Sequence, residues 1–269
     1  MSTQETIISL LDNAVKMHQA NRLEDAENLY KKVLGLSPHQ YDALNLLGVL
    51  ALQSGNNDQA IDLFDQAIAA SPNLASAHFN KGNALYGDKK FDEAVNCYKT
   101  ALTHDPQSQD ALLNLGVALQ DQEKTEEALS IFLKLIKIAP NNPKAHYNKG
   151  KSLHVTGNLL DAEKALKEAL KLDPENADCC FALATVKEDL SQNEEAIKYI
   201  QKAIKIKPEW AQAYFIQIRI LKKINAYEQS LIAAKDAVKN SNRSPLSLIC
   251  LAWCMGNNFD HLIEEIQNN

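Results

Sequence analysis

Residues 75–108 read ASAHFNKGNALYGDKKFDEAVNCYKTALTHDPQS, and this 34-residue stretch is one copy of a pattern that recurs along nearly the whole chain. The proline near its end has counterparts at a constant spacing, at Pro38, Pro72, Pro106, Pro140, Pro174 and Pro208. With that proline numbered position 32, the repeats run 7–40, 41–74, 75–108, 109–142, 143–176, 177–210 and 211–244. A fixed period of about 20–50 residues indicates a repeat architecture.

Three other columns hold residues of constant size. Position 8 is small, position 20 is alanine and position 24 is large in the first six repeats. The two small positions predict that two helices approach closely, and position 24 is expected to fill the gap between one repeat and its neighbour. The position-8 residues are Ala14, Gly48, Gly82, Gly116, Gly150 and Ala184, and the position-24 residues are Tyr30, Phe64, Tyr98, Phe132, Leu166 and Ile200.

Each half of a repeat has the apolar spacing of a helix, as Ala128, Ile131, Phe132 and Leu135 show. Turn-forming residues separate the halves, for example SGNN at 54–57. Proline at position 32 ends the second helix, because it lacks a backbone N–H and restricts the residue before it. Nothing in the pattern predicts a strand. The sequence therefore predicts an all-α fold of helix–turn–helix repeats.

These columns resemble the tetratricopeptide repeat, which has a small residue at position 8, alanine at 20, an aromatic residue at 24 and proline at 32. The resemblance covers nearly the whole chain. It implies a single right-handed α-solenoid over 1–269, in which the first helix of each repeat lines a concave groove and the second faces outward. It also implies that the chain binds another protein or a peptide.

The first helices carry the candidate binding residues, because positions 2, 5, 6, 9, 12 and 13 project toward one broad face. Position 6 is asparagine in three consecutive repeats. An asparagine amide both donates and accepts hydrogen bonds, so a row of them can pair with the backbone of an extended peptide. Position 5 adds aromatic rings. We expect a peptide-binding groove lined by Phe79, Asn80, Asn83, Asn114, Lys144, Tyr147, Asn148, Lys151 and Phe181.

The asparagine row resembles the asparagine ladder in the repeats of O-linked N-acetylglucosamine transferase, on the segments 78–82, 112–116 and 146–150. Two alternatives stay open: the asparagines could bond only to neighbouring helices, and the rings could pack against the next repeat. A different binding mode is the carboxylate clamp of co-chaperone repeats. This chain lacks two of the cations of that clamp, and each charge-assisted hydrogen bond lost in this way costs about 1.5–3 kcal/mol. The five clamp positions read Phe79, Asn83, Asn114, Lys144 and Asn148.

Both ends of the chain depart from the pattern. Residues 2–5 (STQE) match a capping box, which predicts that the first helix begins before the first repeat. Repeat 211–244 has lost the marker residues, with Ile218, Ser230 and Ala234 in their places. Pro245 favours a new helix start, followed by a first helix over 246–255, a turn at 256–258 and a short second helix over 259–266. We expect 211–269 to cap the stack or to pair two chains in a homodimer.

Composition and charge exclude several function classes. The chain has 269 residues, of which 45% are hydrophobic, and a net charge of −6. No run of lysine or arginine indicates nucleic-acid binding, and neither a signal peptide nor a membrane span is expected. The five cysteines match no disulfide framework; Cys250 and Cys254 share a helix face, but only His261 is near them as a further metal ligand. We expect a cytoplasmic protein without a metal or cofactor.

No catalytic motif accompanies the repeats: the sequence has no Gly-rich phosphate loop, no His-Glu-x-x-His and no nucleophile elbow. We therefore expect a non-catalytic adaptor. A second hypothesis places the repeats before the catalytic domain of a larger enzyme, since residues 20–27 (ANRLEDAE), ahead of Tyr30, resemble the N-terminal halves of bacterial glycosyl-, sulfo- and methyltransferases. A third hypothesis is self-assembly through the degenerate C-terminal end.

Overall fold

The computed structural model describes residues 2–255, within which every regular element is an α-helix. The turn expected at 256–258 and the helix expected over 259–266 lie outside the described residues, and so does His261. The chain forms two compact parts, residues 1–139 and residues 140–269, which we call the N-terminal half and the C-terminal half. The predicted all-α fold of helix–turn–helix repeats is confirmed.

The N-terminal half consists of four helix pairs, and the described part of the C-terminal half consists of three pairs and one further helix. The helices of the N-terminal half are α1 (Thr3–Gln19), α2 (Leu23–Leu36), α3 (Tyr41–Gln53), α4 (Asn57–Ala70), α5 (Ala75–Gly87), α6 (Phe91–His104), α7 (Gln109–Asp121) and α8 (Thr125–Ile138). Those of the C-terminal half are α9 (Pro143–Val155), α10 (Leu159–Leu172), α11 (Ala177–Asp189), α12 (Asn193–Ile206), α13 (Ala211–Lys223), α14 (Tyr227–Asn240) and α15 (Pro245–Met255).

Within each half, the helices pack in chain order. The two helices of a pair contact each other, and the second helix of a pair contacts the first helix of the next. First helices also contact first helices: α5 touches α3 and α7, and α11 touches α9 and α13. The first helices of each half therefore lie side by side, which brings side chains of successive repeats together.

All seven turns within the pairs use the same backbone conformation. Position 15 has a φ between 57° and 77° in every repeat, at Asn21, Gly55, Lys89, Glu123, Gly157, Ser191 and Asn225. The next residue donates its N–H to a carbonyl five residues earlier, as Asn56 does to Ala51 at 2.9 Å, which closes a Schellman motif. A side chain in this left-handed region costs about 1–2 kcal/mol, and asparagine tolerates the region better than most residues. The turns at Lys89, Glu123 and Ser191 are therefore the strained ones among these seven.

The large residue at position 24 packs on position 8 of its own repeat. A Cβ atom added to Gly48 would lie 2.6 Å from Cε1 of Phe64, and one added to Gly82 would lie 2.7 Å from Cε1 of Tyr98. The ring thus occupies the space that a side chain would need, which explains the glycine. Phe64 also shares a core cluster with Ala84 of the next repeat, as position 24 was expected to do.

In repeat 211–244, the large side chain stands at position 8 and the small one at position 24, the reverse of the other repeats. Ile218 stands at position 8 and Ala234 at position 24, and both are fully buried in one core cluster. The large side chain has moved from the second helix to the first, so the space between the helices stays filled. Helix α15, the predicted additional first helix, packs against both helices of this repeat.

The start of the chain matches its prediction. The Ser2 hydroxyl accepts a hydrogen bond from the Glu5 backbone N–H at 3.2 Å, and the Glu5 carboxylate accepts one from the Ser2 N–H at 2.7 Å. This reciprocal capping box satisfies two of the N–H groups that a helix start leaves unpaired. Helix α1 accordingly begins at Thr3, four residues before the first repeat.

A lysine occupies an apolar column of the core. Position 11 is leucine in four repeats, but in the sixth it is Lys187, which is only 2% exposed. Its ammonium group lies 2.7 Å from Glu163 and 2.7 Å from Glu195. Burial alone would lower the pKa of Lys187, but hydrogen bonds to these carboxylates raise it. Burial alone would raise the pKa of Glu163, but hydrogen bonds from Lys167 and Lys187 lower it.

Candidate peptide-binding surfaces

The nine residues of the expected groove lie on first helices of both halves, and each half has its own candidate surface. Helices α5 and α7 of the N-terminal half carry Phe79, Asn80, Asn83 and Asn114. Helices α9 and α11 of the C-terminal half carry Lys144, Tyr147, Asn148, Lys151 and Phe181.

In the N-terminal half, Asn83 is the centre of a hydrogen-bond cluster. Its side-chain carbonyl accepts from Asn114 Nδ2 at 2.8 Å and from the Tyr98 hydroxyl at 2.9 Å. Burial raises the pKa of Tyr98, so its hydroxyl keeps the proton that it donates. The Phe79 ring lies 5.9 Å from the Tyr98 ring. The structure therefore brings Phe79, Asn83 and Asn114 together, with Tyr98 beneath them as a support that sequence analysis assigned only to the core.

Asn80 is tied to the preceding repeat. Its Nδ2 donates to Asn45 Oδ1 at 3.0 Å, and Asn45 Nδ2 donates to the Ser76 hydroxyl at 3.4 Å. Asn45 was not among the predicted residues, because it stands at position 5, where only aromatic rings were selected for the groove. The alternative that asparagines bond neighbouring helices is thus observed at Asn80 and at Asn114.

In the C-terminal half, Asn148 donates a hydrogen bond within its own helix. The residue is buried, and its Nδ2 donates to the Lys144 backbone carbonyl at 2.9 Å. Tyr147 and Lys151 are more accessible, and Lys151 Nζ lies 5.6 Å from the centre of the Tyr147 ring. Burial raises the pKa of Tyr147 to about 12, so this ring carries a neutral hydroxyl. The accessible groups of this surface are thus cationic and aromatic.

Phe181 belongs to an aromatic pair that sequence analysis did not predict. It stacks on Trp210 with ring centres 4.6 Å apart, and Lys207 Nζ lies 5.3 Å from the centre of the Trp210 ring. Lys207 is held there by Asp178 at 2.7 Å. Trp210 is the last residue of its repeat and precedes α13, so it stands outside the helix positions used to predict the groove.

A second aromatic pair with cations follows on α13 and α15. The Phe215 and Trp253 rings are stacked 6.0 Å apart, and Lys222 Nζ lies 4.2 Å from the centre of the Trp253 ring. Arg219 approaches the Phe215 ring while it donates to both carboxylate oxygens of the buried Glu188, at 3.0 and 2.6 Å. Rings with adjacent cations are suited to binding side chains that are aromatic or acidic.

No group of three His, Cys, Asp or Glu side chains within residues 2–255 is placed to hold a metal ion. Burial raises the pKa of Cys179 to about 12 and that of Cys250 to about 11, so these thiols stay protonated, unlike catalytic cysteines. None of the described helices is both long and apolar enough to cross a bilayer.

Paired helices at a 34-residue spacing, with polar and aromatic side chains aligned on their first helices, define a helical-repeat scaffold. Three family models, all of the tetratricopeptide repeat, match residues 19–75 and 79–143, residues 131–164 and residues 156–215. The chain belongs to the tetratricopeptide-repeat family. Proteins of this family are typically non-catalytic, and the chain is a scaffold for protein–protein interaction.

Several solved structures have the same fold. PilW, a type IV pilus biogenesis factor, has a TM-score of 0.71 at 20% identity over 78% of this chain and 98% of its own. A tetratricopeptide repeat protein from Parabacteroides merdae has a TM-score of 0.68 at 18% identity over 94% and 100%. YrrB, a TPR protein with an unusual peptide-binding site, has a TM-score of 0.60 at 21% identity over 68% and 95%. At these identities the likeness shows the fold alone.

Proposed function

We propose that this chain is a non-catalytic adaptor that binds a peptide segment of a partner protein on the exposed faces of its first helices. The observation that carries the proposal is the amide pair of Asn83 and Asn114, which are bonded to each other and half-buried beside Phe79. Asn83 uses its carbonyl within the cluster, and Asn114 uses its amide group. The pair therefore still offers a ligand the side-chain NH₂ group of Asn83 as a donor and the side-chain carbonyl of Asn114 as an acceptor.

A donor and an acceptor held side by side match the backbone of an extended peptide, which offers one of each per residue. The bond between the two asparagines supports binding in a second way, because it orients both amides before a ligand arrives and so lowers the entropy lost on binding. The Phe79 ring adds an apolar contact next to the amides. In the C-terminal half, the pairs around Tyr147 and Phe181 instead combine an aromatic ring with a lysine.

The experiment uses a peptide selected from a displayed library of random peptides on the wild-type protein. Its affinity is then measured by fluorescence anisotropy for the wild type and for Asn83→Ala with Asn114→Ala. We expect the double variant to bind more weakly by about 1–3 kcal/mol, the value of one or two lost hydrogen bonds. Asn96→Ala, an exposed asparagine on the second helix α6, is the matched control.

Equal affinity of the double variant and of Asn96→Ala, with helix content unchanged by circular dichroism, would refute the proposed surface. Wild-type protein that selects no peptide would refute it as well.

We also propose a cytoplasmic location, because all five cysteines are free thiols and such thiols persist in a reducing compartment.

Self-association is a second candidate, and two exposed apolar side chains on α15 favour it. Ile249 is 52% exposed and Trp253 is 38% exposed. A second copy covering them would form the homodimer that was predicted for 211–269. Light scattering over a dilution series tests this candidate: a molecular mass of about 30 kDa at every concentration would remove it.

A further inference from the structure

A groove in the C-terminal half runs between the two second helices α12 and α14, with α13 as its floor. It has a volume of about 600 Å³. Tyr214 and Leu221 of the floor are almost fully buried, and the Tyr214 hydroxyl accepts a hydrogen bond from Asn240 Nδ2 at 2.8 Å. Its walls include Ile204, Lys205 and Pro208 from the α12 side and Ile232 and Asp236 from α14. None of these residues belongs to the peptide surfaces proposed above.

Ile232 is an unusual residue for its place in the repeat. It stands at position 22, which is polar in all six preceding repeats, as Asn28, Asp62, Asn96, Ser130, Lys164 and Lys198. The side chain nevertheless remains 55% exposed, so the change to isoleucine contributes little to the core. An exposed apolar side chain on the wall of a groove, beside the apolar Ile204, is what a site for an apolar group requires.

Exposed lysines flank this groove on both of its walls. Of the residues that line the groove itself, Lys205 and Asp236 are the charged ones. Lys198 and Lys205 are exposed and lie seven residues apart on one face of α12. Lys235 and Lys239 are exposed and follow Ile232 on α14 by three and seven residues. Within residues 2–255, no carboxylate is in ion-pair contact with any of these four lysines.

We propose that this groove binds an acidic amphipathic segment of another protein. Apolar side chains of the segment would contact Ile204 and Ile232, and its carboxylates would face the four lysines. The four exposed lysines, against the single Asp236 of the groove lining, set the sign of the partner, and the exposed Ile232 indicates that the partner also presents an apolar stripe. A purely electrostatic ligand would leave Ile232 without a contact.

The test uses a fluorescent 16-residue helical peptide with leucines on one face and glutamates elsewhere, and a matched peptide with glutamine in place of glutamate. We expect the glutamate peptide to bind the wild type about tenfold more tightly than the glutamine peptide at low salt, and to lose most of that advantage at about 0.3 M salt. We expect each of two variants to weaken binding about fivefold or more: Lys205→Gln and Ile232→Asn. The second variant introduces the asparagine that two other repeats have at this position.

Lys137→Gln is the matched control, because Lys137 is exposed at the same position of the fourth repeat, in the N-terminal half. Equal effects of Lys137→Gln and Lys205→Gln would overturn the proposal, and so would equal binding of the two peptides. Tighter binding to phosphatidylserine vesicles or to single-stranded DNA, with the same dependence on Lys205, would assign the groove to a different ligand and overturn it too. The Asn83→Ala, Asn114→Ala variant is expected to bind this peptide like the wild type, which separates the two proposed sites.

Discussion

Replacing Gly48 with alanine tests the contact between positions 8 and 24 that holds each helix pair together. The new methyl carbon would lie 2.6 Å from Cε1 and 2.9 Å from Cδ1 of Phe64. Non-bonded carbons are normally about 3.5–4.0 Å apart, so the ring has to move by roughly 1 Å. Phe64 is fully buried among Ala60 and Ala84, which leaves little room for that movement.

The magnitude follows from two opposing effects. Overfilling a packed core costs about 1–3 kcal/mol, whereas alanine is a better helix former than glycine by up to about 1 kcal/mol. We therefore expect Gly48→Ala to destabilise the protein by about 1–2 kcal/mol. Adding Phe64→Ile should recover part of this loss, because the sixth repeat already combines Ala184 with Ile200 at these two positions.

Urea unfolding followed by far-UV circular dichroism measures both effects. Gly35→Ala is the control, because a Cβ there meets nothing within 4 Å, and we expect it to be neutral or stabilising. If Gly48→Ala were as stable as Gly35→Ala, the ring of Phe64 would not lie on Gly48, and the explanation of the glycine column would be wrong. An equal cost of Gly48→Ala with and without Phe64→Ile would show that the two positions are not coupled.

Three further outcomes can be checked by urea unfolding. Lys89→Gly should stabilise the protein by up to about 1 kcal/mol because it relieves a positive φ, whereas Gly157→Ala should destabilise it by about 1–2 kcal/mol. Lys187→Leu should destabilise the protein by about 1.5–3 kcal/mol, because it removes one partner of a buried ion pair and leaves the Glu163 carboxylate with Lys167 alone. The wild type should lose more stability than Lys187→Leu below about pH 4.3. The pKa values of Glu163 and Glu195 are lowered in the folded protein. Their contribution to the free energy of unfolding is therefore present above the pKa of the unfolded state and is lost as the pH falls through the pKa of the folded state. Equal losses of stability in both proteins would contradict this.

The candidate site was predicted in its residue types but not in its hydrogen bonds. Sequence analysis selected Asn83 and Asn114 because both stand on the expected face of a first helix. It did not predict that they bond to each other, or that Asn148 bonds to its own backbone. The resemblance of the asparagine row to a ladder that binds peptides therefore stays a prediction.

Two groups of the site were missed for different reasons. Asn45 stands at position 5, roughly a quarter-turn of helix before the asparagine column at position 6. Trp210 lies between two helices, where no helical period predicts the direction of a side chain. The structure shows both because each contacts a residue of another helix, Asn45 with Asn80 and Trp210 with Phe181.

The sequence by itself determined the all-α class and the length of the repeat. These depend on proline, on helical spacing and on turn residues, all of which act within a few residues along the chain. Only the tertiary structure decided which polar side chains meet. Asn83 and Asn114 are 31 residues apart and Asn45 and Asn80 are 35 apart, and both pairs form only after first helices of successive repeats have packed side by side.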